Sequence, residues 1–360
     1  MRKISDELKE KIEDAQLEGW TTLPPQILEK DIHVTDALHA ISGIEWHSSA
    51  NPHKKGEPFK AAGKLVFAGG TCLSKAYGLI ERMSEDIDIK VFLEEIPEEY
   101  KAISIKSRLK TLHGVLVTAL TGIGFTAAIV DEQVDEDESD VENAESKKRL
   151  AENPHIRDAR RFFHLTLDYK SAFDGELGAL RPNIKVELIH RHTQLPSQQK
   201  TFGYLVDKII GIEPTQAVTM DCISIEETLA EKVLSMLRRT AWKWYGGQAG
   251  AINDVLVRHI YDVGRICSQH PDAVTAACTI FPALVAVDGK EFSRQYPEFA
   301  ATPREILMKS LARLATDEEI ASNYEEKLQP LIYGESRPDY AEAYARFAQV
   351  ANELLATLKH

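Results

Sequence analysis

Two carboxylates one residue apart, Asp86 and Asp88, carry the clearest chemical signal in the sequence. They alternate with Ile87 and Ile89, so on a strand both side chains leave the same face. Mg²⁺ takes oxygen ligands, usually one or two carboxylates completed by substrate phosphates. Alone, such a pair is equally a solvated strand edge. The residues upstream change its meaning. Leu65–Ala68 is a short apolar run stopped by Gly69 and Gly70. Glycines there permit a tight turn and let the backbone approach a ligand. Thr71 follows as an N-cap candidate, and Leu73, Ala76, Tyr77 and Ile80 recur at helical spacing. The expected order is strand, glycine turn, helix, then a strand carrying both carboxylates, with helix-start amides facing an anion such as a triphosphate.

Further candidates lie downstream. Ile184–Ile189 reads as a strand in which Glu187 is a carboxylate flanked by apolar residues. A third carboxylate beside the first two would complete a metal site or act as general base. Asp168, on the alternating strand Arg161–Tyr169, competes with Glu187 for that place. Ser224 with Glu227 three later forms a capping-box pattern opening a long helix. On it, Lys232 and Arg239 are seven apart, on one face. They either offset triphosphate charge or snorkel as an ordinary basic stripe. Arg238–Tyr245 mixes bases with aromatics, which suits stacked nucleobases or a helix end with core tryptophans. Arg258 and Asp262 share a face of the next helix. Asp262 is read as positioning Lys232, receiving a proton, or pairing with Arg258.

Gly69-Gly70-Thr71-x-Leu73-x-Lys75-x-Tyr77, followed by Arg82-x-Ser84-x-Asp86-Ile87-Asp88, resembles the AbiEii/AbiGii toxin-type nucleotidyltransferases, of the polymerase-β-like superfamily. Leu23–Asp31, with Glu29-Lys30-Asp31, is similar to an N-terminal helix of that family. Glu226–Leu237 and Arg258–Asp262 are similar to two later segments. The likeness covers roughly residues 20 to 265. His259 departs from it, where an acid is usual. The resemblance implies a nucleotidyltransferase with Asp86, Asp88, Glu187, Lys232 and Asp262 as catalytic residues. It implies Mg²⁺ or Mn²⁺ at Asp86, Asp88 and Glu187, and an NTP held by Gly69, Gly70, Thr71, Lys75, Ser84 and Arg239. It further implies a toxin of a bacterial toxin–antitoxin or phage-defence pair, with a separate antitoxin and RNA, preferably tRNA, as acceptor. A protein hydroxyl is the alternative acceptor. A nucleotide-binding protein without catalysis and a kinase-like γ-phosphoryl transferase are the competing classes.

These elements need a scaffold. The 360 residues, 43% hydrophobic and 28% charged, suffice for two or three domains and a sizeable core. With the resemblance, the spacing implies an α+β fold: N-terminal helices packed on the core (1–60), a core that the resemblance makes a nucleotidyltransferase's small mixed sheet with flanking helices (61–205), and a helical C-terminal domain (206–360). In the first of these, Glu29–Asp31 is on the plainest reading the solvated start of a helix, while the resemblance implies that this helix flanks the active site. No run approaches the ~18 apolar residues of a membrane span. The charged N-terminus is no signal peptide. Four scattered cysteines suggest a reducing, cytoplasmic setting without a zinc site or disulfide frame. The net charge of −13 disfavours a nucleic-acid partner at face value, but nine of the acids lie in residues 131–145, and the remainder is near −4. That run reads as a surface loop.

Overall fold

The computed structural model describes residues 1–46, 63–95, 105–127, 156–157, 161–175, 181–246 and 254–359. The acidic run 131–145 lies outside them. The chain divides into two compact units, one of Met1–Ala76, Glu85–His192 and Gln199–Cys222, the other of Tyr77–Ser84, Thr193–Gln198 and Ile223–His360.

The first unit is built on one mixed sheet. Its strands are β1 (Gly63–Ala68), β2 (Asp86–Leu93), β3 (Thr126–Ala127), β4 (Ile156–Arg157), β5 (Phe162–Asp168), β6 (Asn183–His190), β7 (Gln198–Phe202) and β8 (Val218–Cys222). The order is β3-β5-β6-β2-β1-β8-β7, with β4 also on β5. β1 runs antiparallel to β2 and parallel to β8, and β2 runs parallel to β6. Ile87, Ile89 and Val91 of β2, with Ile184, Val186 and Leu188 of β6, point to the buried face. Their alternate neighbours, Asp86, Asp88, Lys185 and Glu187, stay half-buried on the other. The two-residue period of the sequence thus sorts apolar from acidic side chains across the sheet. The unit extends to Cys222 because β8 joins β1.

Its helices are α1 (Asp6–Leu17), α2 (Pro25–Ser42), α3 (Gly69–Lys75), α4 (Ile105–Gly122) and α5 (Leu205–Ile210). Pro25 opens α2 at its first position, where a missing N–H costs nothing. α2 is buried nearly all round, including Glu29, Lys30 and Asp31. This corrects the reading of these three as a solvated helix start. Each has a distant partner instead. Glu29 accepts from Ser171 Oγ and from the Ala172 amide. Asp31 pairs with Lys75 at 2.5 Å and accepts from the Leu205 amide. Lys30, fully buried, pairs with Glu85 at 2.6 Å and donates to the carbonyls of Arg181 and Asn183. Burial pulls the Lys30 pKa down more than Glu85 restores it.

The second unit is helical: α6 (Ile225–Tyr245), α7 (Arg258–Gln269), α8 (Ala273–Glu291), α9 (Pro297–Ala301), α10 (Pro303–Leu314), α11 (Glu318–Asn323) and α12 (Tyr340–Ala356). α6 is central, packing on α7, α8 and α10, while α12 packs on α7, α8 and α10. Ser224 caps α6 by accepting from the Glu227 amide. The Glu227 carboxylate accepts from the amides of Gln194 and Leu195. Among the described residues α8 alone is long and apolar enough to cross a membrane by length and composition. Its Ala277, Phe281, Leu284 and Val285 are buried among the helices of this unit.

Lys30→Ala leaves Glu85 buried without a counter-charge. Urea unfolding is expected to show a loss of about 3–5 kcal/mol. A loss below about 1 kcal/mol, the range of an exposed pair, would contradict this role.

Candidate active site

The register of the sheet builds the acidic centre. Ala68 of β1, Asp88 of β2, Glu187 of β6 and His164 of β5 lie in one row across four strands. Asp86, Lys185 and Thr166 form the next row. Asp88 and Glu187 are therefore neighbours across the β2–β6 pair. Asp168 pairs instead with Asn183, one row beyond Asp86 and two beyond Asp88. Position in the sheet thus favours Glu187 over Asp168.

The turn before α3 is shaped around Asp88. Gly69 has φ +74°, a left-handed conformation, and a Cβ there would overlap Asp88 Oδ2. Gly70 has no such φ. The helix starts at Gly69 behind Ala68, without a side-chain cap, and ends at Lys75, short of Tyr77 and Ile80. Thr71 is buried inside it, and its hydroxyl donates to the Asp86 carbonyl, tying α3 to the start of β2. Lys75 is held by Asp31. Of the predicted nucleotide ligands, Gly69 and Thr71 thus contact the carboxylate strand directly.

Each outer carboxylate has a cation. Lys185 Nζ is 2.5 Å from Glu187 Oε1, and Arg181 Nη1 is 2.9 Å from Asp86 Oδ1. Burial pushes the Glu187 carboxyl up, but effects led by Lys185 outweigh it, and its pKa lies below the ordinary value. Sequence reasoning missed Arg181; one arginine before a proline gives no periodic signal. Among the described residues, no group of three His, Cys, Asp or Glu side chains is placed to hold a metal ion. The donor chemistry nevertheless fits a hard dication. The oxygens are carboxylates on one face, and two suffice beside phosphates.

In the second unit, Asp262 is fully buried and accepts from Arg82 Nε and Nη2, each at 2.7 Å, and from Lys232 Nζ at 2.7 Å. Burial pushes its carboxyl up, but Arg82 and then Lys232 hold it well below the carboxylate range. It therefore orients the two cations and is a poor proton acceptor. Lys232 is buried, not on an exposed stripe. Arg239, further along α6, is half-buried. His259 lies within reach of these charges. Burial and then Lys232 push its imidazole well below the ordinary value, so it is neutral at pH 7. Ser84, half-buried, belongs to the Tyr77–Ser84 segment of this unit, which also carries Arg82.

A mixed sheet with a glycine turn and paired strand carboxylates is the arrangement of a nucleotidyltransferase. The family model described as nucleotidyl transferase AbiEii toxin, type IV toxin–antitoxin system, matches residues 59–346, and the chain belongs to that family. It is a nucleotidyltransferase toxin whose family implies an NTP substrate and a separate antitoxin. No curated protein matches the sequence. Similar solved structures include the following two. MenT4, a nucleotidyltransferase toxin from Mycobacterium tuberculosis H37Rv, has 18% identity and a TM-score of 0.52 over 98% of this chain and 90% of that one. JHP933 from Helicobacter pylori has 12% identity and a TM-score of 0.40 over 93% and 94%. The first likeness is one of fold; the second is too distant to weigh.

Gly69→Ala is expected to cost about 1–2 kcal/mol from the left-handed backbone alone. It also displaces Asp88, so turnover falls far more than the melting temperature implies; equal loss of both would make the turn merely structural. Asp262→Asn leaves Arg82 and Lys232 without their carboxylate, at about 3–5 kcal/mol. The folded pKa of Asp262 is depressed, so its contribution is full above the unfolded pKa, ~3.9, and is lost as pH falls through the folded value. The gap between wild type and Asp262→Asn in melting curves should be widest near neutral pH and narrow below about pH 4. A gap independent of pH would contradict the ion pairing.

Proposed function

We propose that this chain transfers a nucleotidyl group from an NTP to a hydroxyl of RNA, preferably the 3′ end of a tRNA, with Mg²⁺ or Mn²⁺ held by Asp86, Asp88 and Glu187. The observation that carries the reading is the sheet register: it sets Glu187 beside Asp88, while the Cβ-free Gly69 packs against the same carboxylate. A bound dication would supply Lewis-acid stabilisation of charge on the phosphoryl oxygens. Glu187, ionised and next to Asp88, is the general-base candidate for the attacking hydroxyl. Gly69 and Gly70 admit the triphosphate, with Thr71 fixing the start of β2. Lys232, Arg239 and Ser84 are the second unit's candidate phosphate ligands, and Asp262 positions Lys232.

The RNA acceptor is supported by a surface of the second unit. Arg313 stacks over Trp244 at 4.6 Å and over Tyr245 at 6.0 Å, and Tyr245 is exposed. Cation and aromatic side by side suit a base with its phosphate. Arg238, by contrast, is committed to Asp288 and the Phe292 ring. The cytoplasm is the proposed site of action. The four cysteines are free thiols, as a reducing compartment leaves them.

Incubation with total RNA and each α-labelled NTP in turn tests the reading. A labelled RNA of tRNA size, lost on chelation and in Asp86→Asn and Asp88→Asn, is expected, with both variants melting close to wild type. Label in protein would move the acceptor to a protein hydroxyl. Transfer of γ-label without pyrophosphate would replace nucleotidyl with phosphoryl transfer. No transfer of any label, or activity surviving in either variant, would sink the assignment.

A further inference from the structure

We infer that Arg181 is a phosphate-binding residue that Asp86 holds until a metal takes its carboxylate. The inference rests on the metal-site reading above. Arg181 is fixed by its backbone and loose at its side chain. Its amide donates to Glu85 Oε2 at 3.0 Å, and its carbonyl accepts from the buried Lys30 ammonium. Pro182 follows and narrows its backbone further. The Cα therefore cannot shift without disturbing the buried Lys30–Glu85 pair. The guanidinium, 39% exposed, meets Asp86 through Nη1 alone among the described residues. Arg82 shows the opposite arrangement: its guanidinium is 3% exposed and holds Asp262 through two nitrogens, a structural bond.

A dication seated on Asp86 Oδ1 would compete with Arg181 for that oxygen and weaken its hold on the guanidinium. With a dication and triphosphate bound at Asp86, the guanidinium would lose that oxygen and would have phosphate oxygens as its counter-charge instead. The fixed Cα keeps the released side chain within reach, and its planar fork suits two phosphate oxygens at once. One cation thus neutralises Asp86 without metal and the nucleotide with it.

The two roles predict effects of opposite sign. Calorimetry is run with Mn²⁺ alone, and then with Mg²⁺ and each of ATP, CTP, GTP and UTP. Arg181→Ala should bind Mn²⁺ alone about two- to five-fold more tightly, because a competitor for Asp86 is gone. It should bind the preferred NTP about 10- to 100-fold more weakly, as expected for a lost charge-assisted contact. Its melting temperature should stay near wild type, since its backbone contacts remain. Arg181→Lys, which keeps the charge and loses the fork, should match wild type for Mn²⁺ and fall between the two for NTP; it decides the matter if Arg181→Ala does not fold. Unchanged NTP affinity, or weakened binding of both ligands, would overturn the role of Arg181. A wild type that binds neither Mn²⁺ nor any NTP would instead overturn the metal site itself, and this inference with it.

Discussion

One buried ammonium group sets the geometry on which the acidic centre depends. Lys30 is taken wholly out of water, and an unpaired charge there would cost several kcal/mol. Its three donors are answered by Glu85 and by the carbonyls of Arg181 and Asn183. Glu85 immediately precedes Asp86 on β2. Asn183 begins β6, the strand that carries Glu187. A single side chain of α2 thus fixes the entries of both carboxylate strands, and their parallel register does the rest. The carboxylates themselves stay half-buried, so they can exchange partners while the backbone beneath them stays put.

The second unit uses the same device with the sign reversed. There a buried carboxylate, Asp262, is answered by Arg82 and Lys232. Removing any partner leaves buried charge uncompensated, so both arrangements hold orientation at the expense of tolerance to substitution. Arg82 and Asp86 are four residues apart in the chain, one anchored in each unit. Two ion pairs thus precede the carboxylate strand in the chain, Arg82–Asp262 and then Lys30–Glu85 at its start.

The acidic centre was largely legible in the sequence because its signals are local. The alternation through Asp86–Ile89 and Ile184–Leu188 identifies the strands and the face, and the glycine turn sits next to them. The buried ion pairs were not legible. Lys30 meets Glu85, and Asp31 meets Lys75, across stretches of chain that no short-range pattern spans. Without those partners, Glu29–Asp31 looks like a solvated helix start. The Lys232–Asp262 contact is among the readings of the sequence, whereas the second cation on that carboxylate, Arg82, is not. β7, Gln-Gln-Lys-Thr-Phe, is too polar to alternate visibly, and β8 falls where the spacing had suggested only helices. The reading of α+β with a helical C-terminal region holds, and the family match accords with it.

The most direct test of a metal-holding carboxylate centre is an anomalous difference map from crystals grown with Mn²⁺ and a non-reacting NTP analogue. The account requires a Mn²⁺ peak bounded by Asp86 and Asp88, with Glu187 beside it and the triphosphate reaching the Gly69 turn. A Mn²⁺ peak elsewhere, or a bound triphosphate with Asp86 still paired to Arg181 and Glu187 still paired to Lys185, would contradict it.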